Sequence, residues 1–208
     1  FFHDRDDTRI KGWIEKSGDG GSTWTEIPPP APLADLYSWD LALKFDPGDP
    51  DALYAIAGNG LFVSRDGAAN WRKLKGGPSD DEHVLCADFG PSGSGLIYAG
   101  TYAGLFRSAD GGTTWTRVWN GLPAMSIFGV HPDPIDPSSV LVHVGWTGIF
   151  LTTDGGASWR KLTAGLPEGD TGKIGLTVCR TKPKVLMAFV EHGFQPRPNL
   201  PDGKPNPD

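Results

Sequence analysis

An octapeptide recurs four times along this chain of 208 residues, as Ser17-Gly-Asp-Gly-Gly-Ser-Thr-Trp24, Ser64-Arg-Asp-Gly-Ala-Ala-Asn-Trp71, Ser108-Ala-Asp-Gly-Gly-Thr-Thr-Trp115 and Thr152-Thr-Asp-Gly-Gly-Ala-Ser-Trp159. Its aspartates, Asp19, Asp66, Asp110 and Asp154, lie 47, 44 and 44 residues apart. A period in the forties, with short apolar runs in every unit, predicts a radial or linear array of small sheets, none able to fold alone. Gly and Pro make up about 23 % of the chain, against roughly 12 % in ordinary domains. With 38 % apolar residues and eight Trp, that excess signals tight turns rather than disorder.

One unit shows the pattern clearly. Leu41, Leu43 and Phe45 alternate with Ala42 and Lys44, the period of a strand. Asp46-Pro-Gly-Asp-Pro50 supplies turn residues, and Ala52 to Ala57 is an apolar run suited to a strand buried on both faces. Gly58-Asn-Gly60 turns the chain into Leu61 to Ser64, and the octapeptide leads to a last strand from Trp71 to Leu74. The expectation is a four-stranded antiparallel meander, repeated from Leu85 and from Ser126, with His131 in a turn. Ile174 to Val178 and Val185 to Val190 read as the first two strands of a further unit, and Trp13 to Lys16 with a strand from Trp24 as the last two of another.

The octapeptide suits a tight hairpin. Its aspartate carboxylate is expected to accept backbone N–H groups two and three residues on, with a Ser or Thr hydroxyl assisting. The glycines take backbone conformations closed to residues with a Cβ. The terminal Trp is expected to point back between neighbouring sheets, where burial of roughly 150–250 Å² contributes on the order of 4–6 kcal/mol.

Ser/Thr-x-Asp-x-Gly/Ala-x-x-Trp, preceded by Gly-Leu-Phe at 60–62 and 104–106, resembles the Asp-box (BNR) repeat of sialidase-like and sortilin-like β-propellers. Phe45-Asp-Pro-Gly-Asp-Pro-Asp-Ala-Leu-Tyr54 and the Gly-Leu-Pro at 121–123 and 165–167 extend the likeness over nearly the whole chain. The resemblance implies an all-β propeller of four-stranded blades with the box between third and fourth strands. Residues 1–27 are then the last two strands of a blade, and 28–76, 77–120 and 121–164 are full blades. Residues 165–208 give two strands of another blade and a Pro-rich loop. Either the chain is part of a larger ring, which we favour, or its two half-blades join and close a small four-bladed one.

Relatives span sialidases, xyloglucan hydrolases, sortilin-type receptors and a photosystem II assembly factor, so fold alone cannot choose a function. In that family the box lies on the outer rim. Asp19, Asp66, Asp110 and Asp154, with Trp24, Trp71, Trp115 and Trp159, are therefore structural. Function is expected on the opposite, loop-bearing face, where Tyr37, Trp39, Asn59, His83, Tyr102, Trp146 and His192 are candidate binding residues. Should the protein be a glycosidase, its paired carboxylates would come from Asp40, Asp81, Glu82, Asp170 and Glu191, with Asp80 and Glu168 also on that face. Against a sialidase, Arg65, Arg72, Arg107, Arg117 and Arg160 sit on or beside box strands, and the Phe/Tyr-Arg-Ile-Pro motif is not found. The second-to-third-strand turns carry no aspartate of the kind xyloglucan hydrolases use there.

The reading is thus a non-catalytic recognition or assembly propeller binding a protein or glycan. Its alternative is a secreted glycoside hydrolase with catalytic acids partly outside this segment. Net charge is −6 with no basic cluster, which argues against nucleic acid as a partner. No apolar run is long enough for a transmembrane segment. No cofactor is expected, and neither Cys86, Cys179 nor the five histidines have metal-site spacing or a disulfide framework. Cys86 is expected to be a small core residue. Remaining blades of the same protein or a partner chain are the other expected contacts, in an extracellular or periplasmic setting.

Overall fold

The computed structural model describes residues 14–27, 42–57, 59–79, 83–169 and 171–192. Sixteen strands are seen among them. Three four-stranded antiparallel sheets follow one another: β3 (Ala42–Asp46), β4 (Asp49–Ala57), β5 (Gly60–Ser64) and β6 (Arg72–Lys73) form the first. The second comprises β7 (Val84–Phe89), β8 (Ile97–Thr101), β9 (Gly104–Ser108) and β10 (Thr116–Val118). β11 (Ile127–Pro132), β12 (Val140–Val144), β13 (Gly148–Thr152) and β14 (Arg160–Lys161) form the third. Two-stranded sheets flank them, β1 (Ile14–Lys16) with β2 (Thr25–Ile27) and β15 (Thr171–Val178) with β16 (Leu186–His192). A single 3-10 turn spans Gly77–Ser79.

Each sheet is a meander in sequence order, and one spacing recurs in all of them. The regular part of the innermost ladder begins with Phe45↔Leu53, Phe89↔Ile97, Pro132↔Val140 and Val178↔Leu186, eight residues from partner to partner each time. That common origin aligns the second strands position by position. Alternate side chains point to opposite faces, so neighbouring sheets share cores. Tyr54 and Ile56 of β4 pack with Val84, Ala87 and Phe89 of the next sheet, the Tyr54 and Phe89 rings 4.7 Å apart. Ile97 and Ala99 join that same core, whereas Tyr98 between them faces forward to Val130, Val140 and Val142. The near-continuous apolar strands are thus buried on both sides, as the run at 52–57 implied.

The box turns are built from side-chain hydrogen bonds that reach further than the sequence suggested. Asp110 Oδ1 accepts the N–H of Thr113 (3.0 Å) and of Thr114 (2.8 Å), three and four residues on, while its Oδ2 accepts the Thr114 hydroxyl. The N–H groups two and four residues past Ser108 go instead to the Ser108 hydroxyl, which donates to Asp110 Oδ1 at 2.8 Å. Asp19, Asp66 and Asp154 repeat the four-residue reach. These donors hold the carboxyls of Asp19, Asp66 and Asp110 at about 2, below the usual 3.8, chiefly through the side-chain donor four residues on. Box glycines Gly21, Gly112 and Gly156 have φ of +93°, +86° and +97°, and Ala68 takes the same left-handed position at +78°.

Three box tryptophans pack inward as expected, and the fourth does not. Trp115 lies against the core it shares with the preceding sheet, Trp159 likewise, and Trp71 packs on Ala55, Ala57 and Phe62. Trp24 is 59 % exposed, because no sheet precedes β1–β2 among the described residues. A second correction concerns His131, which lies in β11 paired with Leu141 rather than in a turn. The eight-residue spacing makes Asp133 the equivalent of Asp46, two positions later. Cys86 and Cys179 are free thiols. The Cys86 thiol contacts the Ile127 carbonyl at 3.4 Å, and burial pushes its pKa up to about 12, so it behaves as a small core group.

Candidate functional site: the loop face

Two ends of the array are distinguishable by their hydrogen bonds. At one end the box turns meet the first hairpins, with Gly67 N–H to Asp51 O, Gly111 N–H to Gly95 O and Gly155 N–H to Ser138 O. At the other end the connections between sheets meet the turns joining second to third strands. There the Ser126 carbonyl accepts the Gly145 N–H at 2.9 Å, and its hydroxyl donates to the Tyr102 carbonyl at 3.5 Å. Ser126 therefore ties the turn holding Tyr102 to the turn holding Trp146.

An apolar patch surrounds this tie. Tyr102 is 55 % exposed and Trp146 58 %. Met125 and Phe128, also exposed, flank Ser126; the Thr147 hydroxyl donates to Met125 Sδ at 3.2 Å, and the Phe128 ring lies against Gly145. His83 stacks beside Tyr102 with ring centroids 5.2 Å apart. Trp146 occupies a left-handed conformation, φ +58°, which costs a residue with a Cβ roughly 1–2 kcal/mol. The strained backbone and an exposed indole thus coincide at one position.

Of the residues singled out from sequence, His83, Tyr102 and Trp146 share this face. Asn59 sits exposed in the equivalent turn of the first complete sheet. Tyr37, Trp39, Asp40, Asp80, Asp81, Glu82 and Asp170 lie outside the described residues, as does the side chain of His192, the last residue of β16. Glu191 Oε2 accepts the Lys173 N–H at 2.9 Å. Glu168 is exposed in the loop after β14. Among the described residues no three His, Cys, Asp or Glu side chains are grouped to hold a metal ion, and no helix is long and apolar enough to cross a membrane.

Sequence reading did not single out Met125 or Phe128. Phe128 belongs to a bulge, where the register of β11 slips between Ile127 and Gly129 and strand alternation gives no guide. Also unforeseen is a polar row on the innermost strands. Lys44, Asp88 and His131 occupy equivalent positions one before the first ladder pair; Lys44 Nζ and Asp88 Oδ2 form an ion pair at 2.9 Å. His131 is held below its ordinary pKa, mostly by burial, with Asp88 opposing and Lys44 adding to that shift. Equivalence across sheets required the eight-residue spacing. The arginines sit on or beside the box strands: Arg107 Nε donates to Tyr98 Oη at 3.2 Å, Arg65, just past β5, donates from Nη2 to Tyr54 Oη at 3.3 Å, and Arg117 stacks on Trp119.

Consecutive antiparallel meanders, packed face on face with their first strands adjacent and a box turn between third and fourth strands, define an all-β propeller built of four-stranded blades. Solved structures agree on the fold. An ancestral GH74 enzyme is similar over 85 % of this chain and 24 % of its own, with 18 % identity and a TM-score of 0.66. The GH74 xyloglucanase from Xanthomonas campestris is similar over 72 % of this chain and 27 % of its own, at 19 % identity and TM-score 0.58. YCF48 from Cyanidioschyzon merolae is similar over 79 % of this chain and 57 % of its own, at 17 % identity and TM-score 0.58. The chain thus spans about a quarter of the length of these GH74 structures. No protein-family model matches the sequence, and no curated protein matches it.

Proposed function

We propose that this protein is a recognition or assembly propeller that binds a protein or glycan through its loop face without transforming it. The observation that carries this reading is the patch of Tyr102, Trp146, Met125, Phe128 and His83, fixed in place through Ser126. Aromatic rings give large contact area at low entropic cost and suit either the apolar faces of sugars or an extended peptide. A strained tryptophan offers a clean test. Trp146→Gly removes the ring and relieves the left-handed backbone, so it is expected to raise Tm while weakening binding at least tenfold on a glycan or peptide array. Trp146→Ala loses the ring but keeps the strain. Unchanged binding in both variants, and in Tyr102→Ala, would refute the proposal.

The likeness to GH74 enzymes keeps a hydrolase as the second reading, supported at the level of the fold alone. Turnover of a xyloglucan or other glycoside substrate, abolished by Asp81→Asn, Glu82→Gln or Asp170→Asn, would replace the non-catalytic reading with this one.

A further inference from the structure

The outer edge of β16 is unpaired among the described residues and repeats the geometry of the complete blades. By the common eight-residue origin, Leu186, Met187, Ala188, Phe189 and Val190 are equivalent to Val140, Leu141, Val142, His143 and Val144 of β12. In every complete blade this strand pairs outward with a third strand in one register: Ser64, Ser108 or Thr152 stands at the Leu186-equivalent position, and Gly60, Gly104 or Gly148 at the Val190-equivalent. No strand pairs with β16 on that side among the described residues. On its forward face, which no further sheet covers among the described residues, the side chains also differ from their counterparts. Met187 is 72 % and Phe189 78 % exposed, where Tyr54, Tyr98, Ile56 and His143 are buried.

Two clefts beside this edge match what a third and fourth strand carry. At the Ala188-equivalent position the incoming residue is Phe62, Phe106 or Phe150, each pointing back toward the preceding blade. Here that position opens on a cleft of about 450 Å³ walled chiefly by Leu141, Ile149, Leu162, Leu176, Leu186 and Ala188, with Arg160, Lys161 and Thr163 also lining it. The box tryptophan has its own seat in each complete interface: Trp115 lies against Gly77 and Trp159 against Gly121, glycines 44 residues apart. Another 44 residues on is Gly165, which with Leu166 and Pro167 lines a second cleft of about 520 Å³.

We infer that β15–β16 is an acceptor for a box hairpin of the Gly-aliphatic-Phe-x-Ser/Thr type, which completes it as a further four-stranded blade. The incoming glycine pairs with Val190 and the hydroxyl residue with Leu186; the phenylalanine enters the cleft at Ala188, and the box tryptophan covers Gly165. The established interfaces between the complete blades carry this assignment, since edge, register and both seats repeat in them. The chain's own first hairpin does not fit. Pairing of Glu15 with Glu26, like that of Phe62 with Lys73, places Glu15 at the phenylalanine position, so that hairpin brings no ring to the apolar wall of the cleft.

Strand alternation directs the N–H groups of Leu186, Ala188 and Val190 to the open edge, since Val185 bonds across to Cys179 and every second residue follows it. The test is hydrogen exchange on the 208-residue chain with a synthetic peptide of residues 147–163, the box hairpin of the third complete blade. Slower exchange at those three amides, by at least tenfold at saturation, is expected, and it should vanish for peptides with Phe150→Glu or Trp159→Ala. Ala188→Pro should also abolish the effect while β15–β16 pairing persists, because that amide does not bond to β15. Three results would overturn the assignment: no protection by the peptide, equal protection by a scrambled peptide or by residues 13–27, or protection already present in the free chain that grows with its concentration.

Discussion

The box is a lesson in how much a few polar atoms can dictate when they are placed at a turn. One carboxylate and one hydroxyl satisfy the N–H groups that a reversal of this tightness would leave unpaired. A carboxyl stabilised in the folded state has a lowered pKa, so the unfolded chain binds protons first as pH falls. The stabilisation is therefore complete above about pH 4 and is lost progressively toward about pH 2, through the folded values of Asp19, Asp66 and Asp110. Replacing all four box aspartates by Asn is expected to lower Tm at pH 7 and to flatten the fall in Tm between pH 4 and 2. Glycine has its own requirement at the third turn. A Cβ on Gly112 would stand 2.6 Å from Leu74 Cδ1 at a φ of +86°, so Gly112→Ala should cost about 2–4 kcal/mol by urea denaturation. Gly155→Ala, with φ +72° but open space around it, should cost only the backbone share of about 1–2 kcal/mol.

At the scale of the strand and hairpin, most of what the sequence showed was periodicity, and it served well where burial is one-sided or complete. Ala52 to Ala57 declared itself by composition, and the structure extends that strand back to Asp49 through a bulge at Asp46. The fourth strands were harder. β6 and β14 are two residues long, although just beyond them the Leu74 and Leu162 N–H groups still bond to the Leu61 and Ile149 carbonyls. His131 was misplaced because Pro132 and Asp133 resemble turn residues, although the proline closes a strand. The patch around Trp146 was legible only as a set of exposed aromatics, since Ser126, which joins its halves, has no sequence signature. Tryptophan position within the array should dominate its energetic weight. Trp115→Ala is expected to cost about 3 kcal/mol or more, and Trp24→Ala less than about 1 kcal/mol, when the two variants are compared by thermal or urea unfolding.

For the whole molecule, stability is distributed along a row of shared interfaces rather than gathered in one core. Residues of β8 contribute to two apolar clusters at once, Ile97 and Ala99 to one and Tyr98 to the other, whereas among the described residues β16 has a partner on one face only. Nearest-neighbour arrays of this kind open from their ends. The eight-residue origin shared by four hairpins has a further implication. Any cut made at the same position in two successive units removes a stretch that begins and ends in the same phase, face and register. Excising the 44 residues 65–108 would join Ser64 of β5 to the box turn of the following blade with every cross-strand partner type preserved. Such a chain should lose a wedge of the array, not its grammar: growth and shrinkage by whole units are geometrically neutral, and a shift of a single residue is not.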